Sequence, residues 1–260
     1  MKRFYLIILF LGMSNSMVSY SQDSLRAILN ESFTTSEVLE YRVHYGLMNA
    51  GEARLEIKKD LVKFGKRECY HVVGTGRSVG AFDWFFKVRD KYESFIDTEA
   101  MIPWYHTRKI EEGSYKREQD VTFYQMHKLA KDAKRVYNVP ENVQDIVSAF
   151  YYARTWDLNN MEVGDTFPLN AFYSKSVIPI DVTFRGQETI KTKFGYIDCL
   201  KFSPMLQEGR VFKNPDDMVV WVSNDKNRIP VRIEAAILVG SVKADLKHYE
   251  GLKNPLAIVK

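Results

Sequence analysis

The chain has 260 residues, with 37 Lys and Arg against 33 Asp and Glu and a formal charge of +4. That length is enough for one well-buried domain. Acids and bases so near balance make a mixed surface, not a polyanion-binding one, so no nucleic-acid partner is expected. The one locally basic stretch, Lys128 to Arg135 (KLAKDAKR), is interrupted by an aspartate and reads as solvated strand or turn charge.

The first residues have the three-part layout of a secretory signal peptide: MKRF, an apolar core from Phe4 to Met13, and small Ser19 and Ser21 around Tyr20. Cleavage is expected after Ser21, giving a signal peptide at 1–21, a mature single domain at 22–260 and a periplasmic location. The apolar core is shorter than the ~20 residues a bilayer requires, and no later run reaches that length, so no transmembrane segment is expected. No cysteine follows the core to accept a lipid. A free exported protein is therefore expected, not a tethered one.

After a polar leader from Gln22 to Ser36, with at most a short helix, apolar and polar residues alternate from Val38 to Met48 and again from Glu52 to Lys58. Asn49-Ala50-Gly51 between them completes a hairpin. A third strand runs from Cys69 to Gly76. Ala81 to Lys87 carries Trp84, Phe85 and Phe86 in succession, which no half-buried strand allows, so a short helical or looped crossing is expected. Strand character resumes at Val88–Asp97. Trp104–Ile110 and Ser114–Tyr124 form a second hairpin around Gly113, and one more strand runs from about Leu129 to Val136.

Residues 142–156 break this pattern. Val143, Ile146, Val147, Phe150 and Arg154 recur at helical spacing, Tyr151 widens the face, and Asn142 followed by Asp145 reads as an N-terminal cap. One central amphipathic helix is expected, with its apolar stripe buried against strands from both halves of the chain. Beyond it, strands are expected at Phe167–Tyr173, Ile178–Arg185, Glu188–Phe194, Tyr196–Pro204 and Met218–Ser223, and a last hairpin at Ile229–Val239 and Ser241–Tyr249. Turn signals every 8 to 12 residues make the fold class mainly β: an antiparallel, strongly curved sheet or barrel-like architecture.

Catalytic and cofactor motifs are not found. There is no nucleotide-binding glycine loop, zinc-protease helix or nucleophile elbow, and Gly74-Thr75-Gly76-Arg77-Ser78 follows a strand without opening a helix. The five histidines are scattered singly, and the two cysteines, Cys69 and Cys199, have no histidine spacing around them that would make a zinc site. No cofactor or metal is expected. The cysteine pair permits one disulfide, and two buried thiols are equally natural.

Several polar residues sit in apolar company: Asp83 before three aromatics, Arg89 and Asp90 soon after, and Asp145 and Arg154 flanking the helical stripe. Charges so placed are seldom buried unless paired. One reading is an ionic network that pins the helix to the sheet, with Arg89 or Arg108 the partner of Asp145 and Asp83 or Asp90 the partner of Arg154. The other is a ligand pocket formed by Trp84, Arg89, Arg108, Asp145, Tyr151 and Arg154, in which aromatic walls hold a ligand and an arginine meets an anionic group. Paired carboxylates for glycoside hydrolysis could be drawn from Asp83, Glu93 or Asp145.

The stretches YRVHYGLMNAGEARLEI (41–57), VGAFDWFFKVRDKYESFID (79–97), QDIVSAFYYARTWDL (144–158) and VVWVSNDKNRIPVRIEAAILVGSVKADL (219–246) together resemble an exported domain-of-unknown-function family of Gram-negative bacteria. The resemblance implies a mainly β, barrel-like fold akin to small envelope lipoproteins, and implies no catalytic residues. Three functions are then open. The first is a non-enzymatic periplasmic module that binds an envelope lipid or glycan. The second is an envelope scaffold that pairs a sheet edge with a partner protein. The third is a hydrolase.

Overall fold

A computed structural model describes residues 25–206, 217–237 and 240–259. The expected signal peptide and its cleavage site lie outside the described residues. The order along the chain is β1 (Val38–Tyr45), β2 (Met48–Ile57), β3 (Val62–Phe64), β4 (Arg67–Ser78), α1 (Gly80–Phe85), β5 (Arg89–Asp97), β6 (Pro103–Glu112), β7 (Tyr115–Tyr124), β8 (Leu129–Lys131) and β9 (Val136–Asn138). Then come α2 (Ile146–Ala153), β10 (Thr166–Tyr173), β11 (Ser176–Thr192), β12 (Gly195–Leu206), β13 (Met218–Ser223), β14 (Pro230–Ala236), β15 (Ser241–Glu250) and β16 (Ile258–Val259).

All sixteen strands belong to one antiparallel sheet in the order β10-β11-β12-β13-β14-β15-β1-β2-β4-β5-β6-β7-β8-β9, with β3 added to β4 and β16 to β12. Hairpins set most of this order. The long-range step is β15 against β1, from Val38 opposite Glu250 to Tyr45 opposite Val242, which fuses the two halves of the chain into one surface. The sheet stays open and curves strongly. Its two end strands approach through the lead-in to α2, where Gln144 bridges Ala171 of β10 in parallel, and Val143, Val139, Phe123 and Phe172 share a core cluster there.

The mainly β, curved architecture is as the alternation implies. The first hairpin turns at Gly46-Leu47, with Asn49-Ala50-Gly51, expected as its turn, already in β2. Three further local expectations are corrected. The strand expected across Leu129–Val136 is a small hairpin, because Asp132 Oδ1 accepts the Lys134 and Arg135 amides and turns the chain. The two strands expected at Ile178–Arg185 and Glu188–Phe194 are one 17-residue strand, since Gly186 sits in a bulge between Phe184 and Gln187 and the ladder resumes beyond it.

The third correction concerns the helix, which is shorter than 142–156. Asn142 is in the left-handed region and Gln144 is held by β10, so the chain is still extended there. Asp145 is the cap: its Oδ1 accepts the Val147 and Ser148 amides while Ser148 Oγ accepts the Asp145 amide. The buried side of α2 is Val147, Ser148, Ala149 and Tyr151, whereas Ile146, expected in the core, is 48% exposed and Phe150 only partly buried. Val143 is buried, but ahead of the helix.

Cys69 and Cys199 are both buried free thiols, in different strands, and burial pushes each up to about 12. No helix among the described residues is long and apolar enough to cross a membrane.

Candidate functional site

Helix α2 separates two unlike interiors. Toward the first half, Val147 and Tyr151 pack on Phe33, Ile57, Val72, Ile96 and Met101, a filled core. Toward the second half, Ile146, Ala149, Phe150 and Ala153, at helical spacing, face the concave side of β10–β13 across a cleft of about 350 Å³. Its opposite wall is Leu169 of β10, Ile180 and Val182 of β11, Phe202 and Pro204 of β12, and Met218, Val220 and Val222 of β13. Trp156, stacked on Phe167 with ring centroids 5.0 Å apart, and Leu158 close one end beside Arg154 and Arg228. The cleft is within the size range of small-molecule sites, and its walls are almost entirely apolar.

At that end the two arginines differ. Arg154 is 2% exposed and held by Glu37, fully buried, through Nη1–Oε1 and Nη2–Oε2 bonds of 2.6 and 2.7 Å; its Nε donates to the Asn227 carbonyl at 2.9 Å. Burial alone would lower the Arg154 pKa, but the Glu37 carboxylate outweighs it and the net shift is upward. Arg228 donates Nη1 to the Arg154 and Trp156 carbonyls, and no carboxylate among the described residues lies within ion-pair distance of it. Burial lowers its pKa. Arg228 and Leu158 also line a second hollow of about 610 Å³, of mixed character, with Asn159, Asn224 and Lys226 on its polar side and Met161, Phe184 and Leu200 on its apolar side. The apolar cleft and the mixed hollow are therefore adjacent.

The six residues singled out in the sequence do not converge. Trp84 is 82% exposed on α1, and Arg89 binds Asp83 at 2.6 Å nearby; Arg89 and Ser78 hold Asp83 down to about 2. Tyr151 is in the first-half core. Arg154 alone lines the cleft, and its partner is Glu37, not Asp83 or Asp90. Asp145 is bound neither by Arg89 nor by Arg108: beyond its cap it accepts Ser94 Oγ at 2.6 Å, with His106 Nδ1 at 3.6 Å. Those partners were missed because Asp83 and Arg89 satisfy each other locally, while Glu37 lies far away in sequence.

Arg108 of β6 is 2% exposed, donates Nη2 to Gln119 Oε1 and Ser174 Oγ, and stacks on Tyr173 at 4.4 Å. It thereby holds the tip of the β10–β11 hairpin, whose Ser174 and Lys175 both have positive φ. Ser94, His106 and Asp145 do not form a nucleophilic triad: the hydroxyl is bonded to the carboxylate, not to the imidazole, and all three are buried. Asp83, Glu93 and Asp145 each have separate partners, Arg89, His71 and Ser94. Among the described residues no three potential metal ligands cluster.

A family profile described as a protein of unknown function, DUF3108, matches residues 40–247. The chain belongs to this family. The DUF3108 chain is also similar to a solved β-barrel-like protein of a domain of unknown function, DUF1849, from Brucella abortus, at 11% identity and a TM-score of 0.55, covering 88% of this chain and 99% of that one. That likeness shows the fold. Two more solved structures align at lower scores. A protein provisionally named a lipoprotein, from Parabacteroides distasonis, gives 11% identity and a TM-score of 0.38 over 87% of this chain and 100% of that one. A protein provisionally named exported, from Bacteroides fragilis, gives 12% identity and a TM-score of 0.34 over 86% of this chain and 99% of that one. No curated protein matches the sequence.

Proposed function

We propose that this DUF3108 protein is an exported, single-domain, non-enzymatic module that holds one apolar chain of an envelope lipid in the cleft between α2 and β10–β13. The observation that carries this reading is the cleft itself: a helix face and four strands turn apolar side chains toward space that no side chain fills. A cleft of that lining leaves apolar surface open to water, and an acyl chain seated in it would bury that surface. Arg228, with no carboxylate among the described residues within ion-pair distance, and the mixed hollow beside it suit the head of such an amphiphile. Export is supported by the leader pattern of residues 1–21.

The edge-pairing reading has less support. One end strand, β10, is partly covered by the Gln144 bridge, and the other, β9, is three residues long.

The test is solvent extraction and mass spectrometry of protein purified from its native envelope, alongside Ala153→Trp. Ala153 lines the cleft and is not in a core cluster, so the indole is expected to occupy the cleft with less than ~1 kcal/mol change in stability. Wild type is expected to carry acyl lipid and Ala153→Trp to lose most of it. Equal lipid in both, or none in the wild type, would refute the reading.

A further inference from the structure

The far end of the first half carries a feature the cleft does not use. The β1–β2 turn and α1 lie side by side there: Gly51 is opposite Ser78, and the Val79 amide donates to the Ala50 carbonyl. From these two elements Leu47 is 96% exposed, Met48 56%, Trp84 82%, Phe85 77% and Phe86 54%. None of the six residues of α1 is buried. A helix this short draws its stability from packing on a core, yet α1 half-buries only Phe82 among its aromatics, turns Trp84 and Phe85 outward, and is held by the bonds of Asp83 to Ser78 and Arg89. Arg42 and Lys87 flank the cluster, and neither has a carboxylate within ion-pair distance among the described residues; Asp83 is taken by Arg89.

We infer that this rim is a membrane-docking surface that inserts Trp84, Phe85 and Leu47 at the interface of an anionic bilayer. Trp84 and Phe85, with ring centroids 4.7 Å apart, and Leu47 and Met48 on the neighbouring turn expose large apolar side chains from adjacent tips, the kind of surface that marks an interaction site, while the Phe86 ring lies against Gly113 at their base. Their exposures mean that they protrude, which suits a deformable headgroup layer; a stable protein interface needs ~800 Å² of complementary surface on each partner. Tryptophan and phenylalanine flanked by unpaired cations are the composition that partitions into a negatively charged interface. The strand register adds a geometric point. Met218, at one end of the cleft, pairs with Ala235 near the β14–β15 turn, and Gly240 of that turn lies against Tyr45, at the β1–β2 end. Met218 thus lies at the same end of the strands as the β1–β2 turn. The inference stands on residues outside the cleft and does not require it to hold lipid.

Vesicle flotation tests it, with phosphatidylethanolamine vesicles containing phosphatidylglycerol and with pure phosphatidylcholine vesicles. The proteins are the full chain, Trp84→Glu/Phe85→Glu, and a control, Leu29→Glu, at an apolar residue 80% exposed elsewhere. Any contribution of the N-terminal leader is common to all three. Since Trp84 and Phe85 are themselves exposed and the bonds of Asp83 are left in place, the rim variant is expected to keep the wild-type circular dichroism spectrum and melting curve. Wild type and Leu29→Glu are expected to float with the anionic vesicles and less with the neutral ones. The rim variant should bind about tenfold more weakly or worse, since burial of one aromatic side chain already exceeds that factor. Equal flotation of the rim variant and wild type would overturn the inference. So would a wild type that stays unbound, including one that self-associates through the rim instead.

Discussion

Replacing Glu37 by Gln should be among the most damaging conservative changes available in this chain. The carboxylate is fully buried and accepts two short bonds from a guanidinium that is itself 2% exposed. With the charge on Glu37 removed, Arg154 keeps the Asn227 and Ser32 carbonyls and the Phe33 and Tyr151 rings at 5.0 and 5.2 Å, but no counter-charge. Breaking one partner of a buried pair costs ~3–5 kcal/mol, and the ring contacts, being the same with and without the carboxylate, do not change that difference. The expected loss is therefore ~3–5 kcal/mol, a large part of the ~5–15 kcal/mol by which domains are stable. Urea unfolding at neutral pH reads it directly, and the slope must stay constant for the midpoint shift to be a stability change. The partner experiment is Glu37→Leu/Arg154→Met, which removes both charges and leaves apolar groups of similar volume. It should be milder than Glu37→Gln, because an uncompensated charge, not the lost pair, is the damage. A Glu37→Gln protein within ~1 kcal/mol of wild type, or a double variant as unstable as the sum of the singles, would refute the argument.

Asp97 gives the acid dependence. Burial opposes its charge, but Arg67 at 2.5 and 2.6 Å, the Ala100 and Glu99 amides and Trp104 Nε1 outweigh this and lower its pKa. A depressed folded value means its contribution is fully present above the unfolded aspartate value of ~3.9 and is lost as pH falls through the folded value. Asp97→Asn should thus lower stability at pH 7 and flatten the loss below about pH 4, as followed by thermal melts across pH; an acid limb as steep as in the wild type would refute it. Gly251 has φ +67°, and a Cβ there would overlap the Ser36 carbonyl oxygen just ahead of Glu37. Gly251→Ala should cost more than the ~1–2 kcal/mol of a left-handed non-glycine residue alone, and a melt unchanged from wild type would refute that.

The hairpins were legible because one face of the sheet is buried and the other wet, and alternation reports that directly: Leu39, Tyr41 and Leu55 read correctly as inward-facing. The errors arose where tertiary partners overrode local signals. Gly186 looks like a turn, but a bulge absorbs it while Phe184 and Gln187 keep pairing with β12. Asn142 looks like a cap, but β10 takes Gln144 into a bridge and postpones the helix to Asp145. Glu37 carries no local mark of its pairing with Arg154, 117 residues on. The exposed aromatics of 84–86 were visible as an anomaly; their projection outward was not, since a run of three bulky rings is equally compatible with a buried crossing.

The cleft was half legible. The alternation Ile178, Ile180, Val182, Phe184 and the run Val220, Val222 mark inward faces, but periodicity cannot say whether the interior they face is filled. That depends on volume. In the first half the segment before β1 supplies Phe33 and the β5–β6 turn supplies Met101, and α2 meets them with Val147 and Tyr151, so the space beneath the sheet is packed. In the second half the same helix offers Ala149 and Ala153 to four strands of aliphatic side chains. On that helix face the small side chains, set between Ile146 and Phe150, leave a gap opposite the larger side chains of the concave sheet. Ala149 is itself packed in a core cluster with Leu169 and Ala171, so Ala153 is the helix position at which a larger apolar side chain enters the cleft, and such a replacement should exclude a bound chain while stability stays within ~1 kcal/mol of wild type.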